Sequence, residues 1–276
     1  MEFLVLFAKT IAFRPYVFVF LAAFLFAAVQ LIGWQRTWRF WLISWLTAFA
    51  CEFSSTRNGI PFGWYFYNGS TVGQELYISN IPFMDSISFS FLLFASYCLA
   101  LLFLLPIQST SDRAAASRLP DLRFDLSPRT SWPVFVLTVL FFAFIDMVID
   151  PVALRGDRWF LGKIYYYPDP GVHFGVPMAN YAGWAVVGAI SLSIYFPLDR
   201  RLSSPMPSHR SSTTHRLLLG VGLYYGVLAF NLGMTFWIGE SLQGTTGLLM
   251  YVPVTALLLL RLLTPARPSA QPERPI

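Results

Sequence analysis

The sequence predicts an all-α membrane protein, a polytopic bundle of about seven transmembrane helices. Of its 276 residues, 56% are hydrophobic and only 12% are charged, whereas a soluble domain typically has about 25% charged residues. The mean hydropathy is +0.57. Several apolar runs approach the length of about 20 residues that a helix needs to cross a bilayer. The chain is therefore expected to be solvated mostly by lipid.

The apolar runs place the elements in order along the chain. They predict spans at 16–35, 39–54, 80–105, 131–150, 180–197, 217–237 and 246–263. Residues 1–13 are apolar but too short to cross before Arg14, which indicates an interfacial or re-entrant helix. A cleaved signal peptide is disfavoured because Ala-x-Ala spacing is absent. Residues 1–263 then form one transmembrane domain, and the Pro-rich tail 264–276 is expected to be disordered and cytoplasmic.

The distribution of positive charge predicts the orientation. With seven spans, one face has six Lys and Arg residues and the other has 13. The face with more Lys and Arg residues should be cytoplasmic, which places the N-terminus outside and the C-terminus inside. The expected location is the inner (cytoplasmic) membrane. The net charge of +5 then favours contact with anionic lipid headgroups. Nucleic acid is not an expected partner, because the aromatic residues lie on the opposite side.

The loops fall into two kinds. The cytoplasmic segments 106–130 and 198–216 are rich in Ser, Pro, Arg and Asp, which is typical of mobile linkers. The outer segments 52–85 and 150–180 are as long but rich in Trp, Tyr and Phe. Long loops in a compact domain are usually functional or disordered. The aromatic content argues against disorder, so these two loops should fold over something.

The two outer segments resemble each other, which indicates an internal repeat. Each has a carboxylate at its start, an aromatic run in its middle, and an aliphatic-Pro pair three residues before a polar side chain. The matching positions are Glu52 and Asp150, then 64–67 and 164–167, then Asp85 and Asn180. Ordinary helix-entry chemistry could also produce this likeness, since Pro is favoured in a first turn. Two parallel helical hairpins related by an axis along the membrane normal would bring both polar sets to one site.

Five carboxylates interrupt or end the apolar segments, and in hydrocarbon such residues mark functional sites by default. They are Glu52, Asp85, Asp146, Asp150 and Glu240. Asp146 and Asp150 are four residues apart, so they share one helix face, and Pro151 is expected to end that helix. Structural alternatives exist for each residue: bonds from Asp146 and Asp150 to Arg or Tyr of other helices, a surface pair of Glu52 with Arg57, N-terminal charge compensation by Asp85, and an interfacial position for Glu240.

A set of motifs resembles a known family. The motifs are Glu52, GIPFGWYFY, Asp146-x-x-x-Asp150-Pro151, Trp159 and HFGVPMANYAGW. Together they are similar to the membrane carotenoid biosynthesis protein family, of the bisanhydrobacterioruberin and gamma-carotene hydratase type. The resemblance covers roughly residues 45–190, and beyond it only hydropathy and Asn231 match.

This resemblance implies an enzyme that hydrates the terminal 1,2 double bond of a linear carotenoid to a tertiary alcohol, without a cofactor. One alternative is a carotenoid cyclase or isomerase that shares the protonation step, as in the small heterodimeric lycopene cyclases. Another is a non-catalytic isoprenoid-binding membrane protein in which the acids only connect helices. The implied partners are a long-chain carotenoid, membrane lipid and other enzymes of the same pathway.

The residues fit that chemistry. Protonating an alkene requires a carboxylic acid that stays uncharged, and an apolar site favours the uncharged form. We expect Asp146 and Asp150 to supply the proton and Glu52 to assist as a base or proton-sharing partner. Aromatic rings stabilise a cation by about 0.5–2 kcal/mol each. The expected substrate-binding residues are Asp85, Asn180, Trp64, Tyr65, Tyr67, Trp159, Tyr166 and Trp184.

The positions of the Cys, His and Gly residues disfavour other kinds of functional site. Cys51 and Cys98 form no CxxC motif. The three histidines form no HxxxH or HxxHH box, which argues against a metal site and a di-iron hydroxylase. No phosphate loop or dinucleotide fingerprint is present.

Overall fold

The computed structural model describes residues 2–107, 122–202 and 213–263, and it confirms an all-helical bundle. The helices are α1 (Glu2–Phe13), α2 (Pro15–Ile32), α3 (Trp34–Asn58), α4 (Phe83–Leu104), α5 (Leu126–Arg129), α6 (Trp132–Ala153), α7 (Met178–Arg200), α8 (Thr213–Trp237) and α9 (Ser241–Leu263). Four two-residue strands are β1 (Phe66–Tyr67), β2 (Tyr77–Ile78), β3 (Ile81–Pro82) and β4 (Tyr165–Tyr166). The predicted tail 264–276 lies outside the described residues.

Six of the described helices are long and apolar enough to span a membrane: α2, α4, α6, α7, α8 and α9. The seventh predicted span corresponds to α3, which is 25 residues long and therefore about 37 Å. The prediction of residues 39–54 was too short because polar residues mark both ends of this helix. Some of its buried hydroxyl groups are satisfied within the helix, as where Ser44 donates to the Phe40 carbonyl at 2.6 Å.

Polar contacts show which helix ends lie together. The long loops 59–82 and 154–177 share one face of the bundle, here the loop face, because β1 pairs with β4. Arg14, just before α2, bonds Glu75 on the first loop at 3.0 Å. Arg36, early in α3, bonds Asp199 near the end of α7 at 2.7 Å. The chain therefore crosses from the loop face along α2 and returns along α3.

The last helix, α9, crosses the bundle from the loop face to the opposite face. Glu240, which precedes α9, pairs with Arg155 of the second loop at 3.1 Å. Arg261, near the other end of α9, donates to the Leu102 carbonyl at 3.2 Å, where α4 ends. Within the described residues, seven long helices thus cross the bundle, and α1 and the end of α9 lie on opposite faces. α4 is the central helix, packed against α3, α6 and α8.

A buried ion-pair cluster holds the face opposite the loops. Asp199 is fully buried and pairs with Arg36 at 2.7 Å and with Arg129 at 2.8 Å. Arg200 donates to the Thr130 carbonyl at 2.5 Å. The prediction that 106–130 and 198–216 are mobile linkers is therefore wrong for the parts that contain Arg129, Thr130, Asp199 and Arg200. Residues 108–121 and 203–212 lie outside the described part.

Residues 2–13 form the predicted helix and dock against the first loop. Arg14 and Glu75 are both fully buried, and Arg14 also donates to the Leu161 carbonyl at 2.5 Å. The Thr10 hydroxyl accepts a bond from the Leu76 amide at 2.7 Å. One arginine therefore joins the first helix to both long loops.

The strand pairing has the register of an internal repeat. β1 and β4 are antiparallel, with Phe66 opposite Tyr166. These two residues hold the same position in the two sequence copies, so their direct pairing places a two-fold axis between them. Pro82 and Pro177 also have matching extended conformations immediately before α4 and α7. The α3–α4 and α6–α7 hairpins are thus equivalent parts of one frame.

Candidate active site

A buried cavity of about 130 Å³ lies at the loop-face end of the bundle. Four of the five carboxylates singled out from the sequence line it: Glu52, Asp85, Asp146 and Asp150. α3 and α4 supply the first two, and α6 supplies the others. The loop residues beside β1 and β4 supply tyrosines, while α2 and α8 line the remaining wall.

The Asp150 cluster consists of Asp146, Asp150, Asn180, Tyr165 and Tyr167. Asn180 Nδ2 donates to Asp146 Oδ2 at 2.6 Å and to Asp150 Oδ2 at 3.0 Å. The Tyr167 hydroxyl donates to Asp150 Oδ2 at 2.6 Å, and the Tyr165 hydroxyl donates to Asp150 Oδ1. The i, i+4 spacing thus puts both acids on one face, as the sequence predicts.

The two aspartates differ in their hydrogen bonds. Asp150 accepts from three donors, and donors to a carboxylate favour its ionised form. Asp146 accepts from Asn180 alone, and its Oδ1 is buried without a hydrogen-bond partner among the described residues. A proton held by the pair is therefore better placed on Asp146, whose free oxygen can present it.

The Glu52 triad consists of Glu52, Tyr67 and Asp85. The Tyr67 hydroxyl lies 2.5 Å from Asp85 Oδ2 and 3.2 Å from Glu52 Oε1. Burial, followed by the charges of Asp85 and Glu52, raises the pKa of Tyr67 well above its ordinary value. The phenol therefore keeps its proton and acts as a donor. Glu52 Oε2 is buried and has no hydrogen-bond partner in the described part of the chain.

The helix that contains Asp150 continues past a proline. α6 was expected to end at Pro151, but it continues to Ala153. Pro151 has no N–H for the Met147 carbonyl, and His173 Nε2 lies 3.0 Å from that carbonyl instead. An imidazole nitrogen facing a carbonyl must be the donor. The second loop therefore satisfies the carbonyl that the proline leaves unbonded.

The aromatic side chains of the two loops alternate along the short strands between facing the cavity and facing away from it. Tyr65, Tyr67, Tyr165 and Tyr167 line the cavity. Their neighbours Trp64 and Tyr166 are 48% and 43% exposed and do not line it, contrary to expectation. Side chains of an extended segment point alternately to opposite sides, and this signal was available in the sequence.

The remaining walls are apolar and aromatic. Trp159 and Trp184 line the cavity as expected, and Trp184 stacks on Phe89 with ring centroids 4.2 Å apart. A Cβ on Gly183 would lie 2.3 Å from the Phe62 ring, so glycine permits the close approach of the first loop to α7.

The wall formed by α2 and α8 was not predicted from the sequence. It contains Tyr16, Phe20, Phe230 and Asn231. The Tyr16 and Phe230 rings stack at 5.3 Å. Asn231 was the sequence signal for this wall, as a buried amide in an apolar helix.

The structure bears on the structural alternatives given for Glu52 and Glu240. Arg57 contacts the Ser79 hydroxyl at 3.1 Å, so the alternative pairing of Glu52 with Arg57 is wrong. Glu240 pairs with Arg155 and Arg158 away from the cavity. Within residues 2–107, 122–202 and 213–263, no three His, Cys, Asp or Glu side chains are arranged to hold a metal ion.

The fold and this site define an integral membrane helical protein with a buried, acid-lined, aromatic cavity. The chain belongs to the carotenoid biosynthesis protein family, whose sequence profile matches residues 13–254. It is also 29% identical over 156 residues to bisanhydrobacterioruberin hydratase of Haloarcula japonica. That alignment covers 56% of this chain but 43% of the relative, so this chain matches less than half of the relative's length. No solved structure matches the chain.

Proposed function

We propose that this protein is a carotenoid hydratase that adds water across the terminal 1,2 double bond of a linear carotenoid. The observation that carries the proposal is the free oxygen of Asp146 in a buried, aromatic cavity. The family membership and the hydratase relative support the substrate class and the reaction. Asp146 and Asp150 act together as the acid, with Asp146 as the donor.

The first step is proton transfer to carbon. The π electrons of the alkene form a C–H bond at C2 with the proton of Asp146, which becomes a carboxylate. A tertiary cation remains at C1. Asn180 Nδ2 stays bonded to both aspartates, so the new negative charge on Asp146 already has a donor 2.6 Å away. General acid catalysis of this kind contributes about 10²–10⁴-fold to a rate.

The cavity walls suit the cation that follows. Trp159, Trp184 and Tyr65 present electron-rich rings, and each desolvated ring is worth about 0.5–2 kcal/mol to a cation. Water then forms the C–O bond and loses a proton to a carboxylate, with Glu52 as base or proton-sharing partner. Carbon is neither oxidised nor reduced overall, so the reaction requires no redox cofactor.

The cavity has room for an end group of the substrate only. Its volume of about 130 Å³ is below the roughly 300–1,000 Å³ of pockets that enclose drug-sized ligands. The rest of a polyene would therefore lie outside it, in lipid.

The proposal is tested by Asp146→Asn in cells that make linear carotenes. Asparagine keeps the shape but has no acidic proton, so hydrated product should fall by about 10²–10⁴-fold. Asp150→Asn should also lose product, because the neighbouring Asp150 carboxylate favours retention of the proton on Asp146, while both proteins remain in the membrane. The measurement is pigment extraction and mass analysis, with Glu240→Gln as the control outside the cavity.

Each contrary result has a clear meaning. Wild-type activity in Asp146→Asn would remove the acid assignment. A wild-type product of unchanged mass would identify a cyclase or isomerase. Unaltered pigments with wild-type protein would indicate a non-catalytic isoprenoid-binding protein.

A further inference from the structure

The cavity, of about 130 Å³, is too small for a whole polyene, so the chain of the substrate has to leave it through one of its walls. We propose that the polyene leaves between α2 and α8, through a cluster of aromatic rings, and then lies in a shallow groove that these two helices form on the lipid side. This inference rests on the proposed function, because it concerns the substrate of the same site. It assigns a binding groove for an extended apolar chain.

The ring cluster consists of Tyr16, Phe20, Phe160 and Phe230. Tyr16, Phe20 and Phe230 line the cavity and are also partly exposed. Phe160 does not line the cavity and is 50% exposed. Its ring centroid nevertheless lies 5.5 Å from that of Tyr16 and 6.3 Å from that of Phe230. A thin layer of rings therefore separates the cavity from the outside of the protein between α2 and α8.

This layer is held by contacts between side chains, whereas the other side of α8 is closed by tight helix packing. The Phe230 ring lies 5.3 Å from the Tyr16 ring and 5.8 Å from the Phe20 ring, and partly exposed rings can change rotamer without moving a helix. A Cβ on Gly247 of α9 would lie 2.9 Å from Leu232 and 3.2 Å from Val148. A chain can therefore pass between α2 and α8 more easily than beneath α9.

Small residues continue the seam between α2 and α8 from the ring cluster toward the membrane centre. α2 begins at the loop face and α8 ends there, so Ala23 and Gly226 each lie about one helical turn deeper than Phe20 and Phe230. The spacing of three or four residues keeps each pair on one helix face. Ala23 and Gly226 are both exposed, and a Cβ on Gly226 would meet no atom of the described residues within 4 Å. These two positions leave room for a chain that lies flat on the seam.

The order of groups along this path matches the order of groups in the substrate. At the inner end, the Asp146 side chain is 1% exposed, and its Oδ1 has no hydrogen-bond partner among the described residues. The ring cluster follows, where a conjugated chain can pack on the faces of Tyr16 and Phe230. The groove at the outer end is apolar. It would bind the polyene without touching the carbons that react.

Photolabelling from position 226 tests where the polyene lies. The protein is the full chain with Asp146→Asn, which keeps the substrate unconverted, reconstituted in lipid vesicles with a linear carotene. A diazirine-bearing phenylalanine at position 226 should form a carotene adduct on irradiation, detected by mass. Position 233 is the matched control, because Gly233 is also exposed on α8 with space for a Cβ among the described residues. It lies about 10 Å farther along the helix, beyond Phe230, and should give only background labelling.

Kinetics of filled-groove variants give a second readout. Gly226→Phe should raise KM for a linear carotene roughly tenfold and keep kcat within about twofold of wild type, because the groove binds the chain equally in the ground and transition states. Gly233→Phe should change neither constant. Ala23→Phe should reproduce the effect from the other wall, which keeps the test usable if Gly226→Phe does not fold. The melting temperature in detergent shows which variants are folded.

The contrary results separate the groove from the reaction. Equal labelling from positions 226 and 233, no labelling from position 226, or an unchanged KM in folded Gly226→Phe protein would overturn the groove. Labelling from position 226 without any alcohol from wild-type protein would overturn the proposed reaction and support the groove.

Discussion

At the scale of single residues, Asn180 allows the neighbouring Asp146 and Asp150 to differ in protonation. Its amide donates to Asp146 and Asp150 at once, so neither acid has to bond the other. The sequence predicted that both aspartates share a helix face. It could not predict that the Tyr165 and Tyr167 hydroxyls bond Asp150 and not Asp146, because those contacts depend on how a distant loop returns over α6.

Asn180→Leu should damage both stability and hydration. It removes two buried hydrogen bonds and leaves acceptors unsatisfied, which costs roughly 1–3 kcal/mol per group. The expected result is a lower melting temperature in detergent and reduced hydrated carotenoid. Gln243→Leu is the matched control, because Gln243 is a buried amide with no hydrogen bond in the described residues and does not line the cavity. Equal effects of the two substitutions would contradict the role given to Asn180.

At the scale of elements, apolar runs predicted the long helices well, since lipid exposure demands them. The full length of α3 was missed because its polar side chains bond within the protein, which hydropathy does not register. The strand pair was also missed: two-residue strands have no sequence signal of their own, although the repeated aromatic runs indicated that the loops are equivalent. Arg14 and Glu75 belong to this scale too, because they connect α1, α2 and the first loop.

Arg14→Met should destabilise the protein strongly. It leaves the fully buried Glu75 carboxylate unpaired, and breaking a buried pair costs about 3–5 kcal/mol. The double substitution Arg14→Met with Glu75→Leu should recover most of this loss, because it removes both charges. Thermal unfolding in detergent measures both effects. A double variant no more stable than Arg14→Met would show that the ion pair is not the cause.

At the scale of the whole molecule, the seven crossings in the described part of the chain place the two long loops on one side and Arg36, Arg129 and Arg200 on the other. Residue counts along the chain were enough to propose this arrangement, because positive charge and hydropathy together constrain topology. They could not predict the buried Asp199 cluster, since linker-like composition concealed two of its charges, Arg129 and Asp199.

The proposed orientation can be measured by cysteine labelling, because both native cysteines are buried. Val172 is 90% exposed on the loop face, so Val172→Cys should react with an impermeant maleimide added to intact spheroplasts. Arg123→Cys, on the opposite face with a 59% exposed native side chain, should react only after permeabilisation. The reverse pattern would invert the topology.

The two-fold pairing of Phe66 with Tyr166 has a consequence for how the protein is made. The chamber closes only when β4 meets β1, and β4 is synthesised about 100 residues later. Until then the first hairpin holds Glu52 and Asp85 in the bilayer with Tyr67 as their local partner, and ionisable groups there are costly. We therefore expect the nascent first half to be the vulnerable stage of biogenesis, and pairing with the second half to secure it in the membrane.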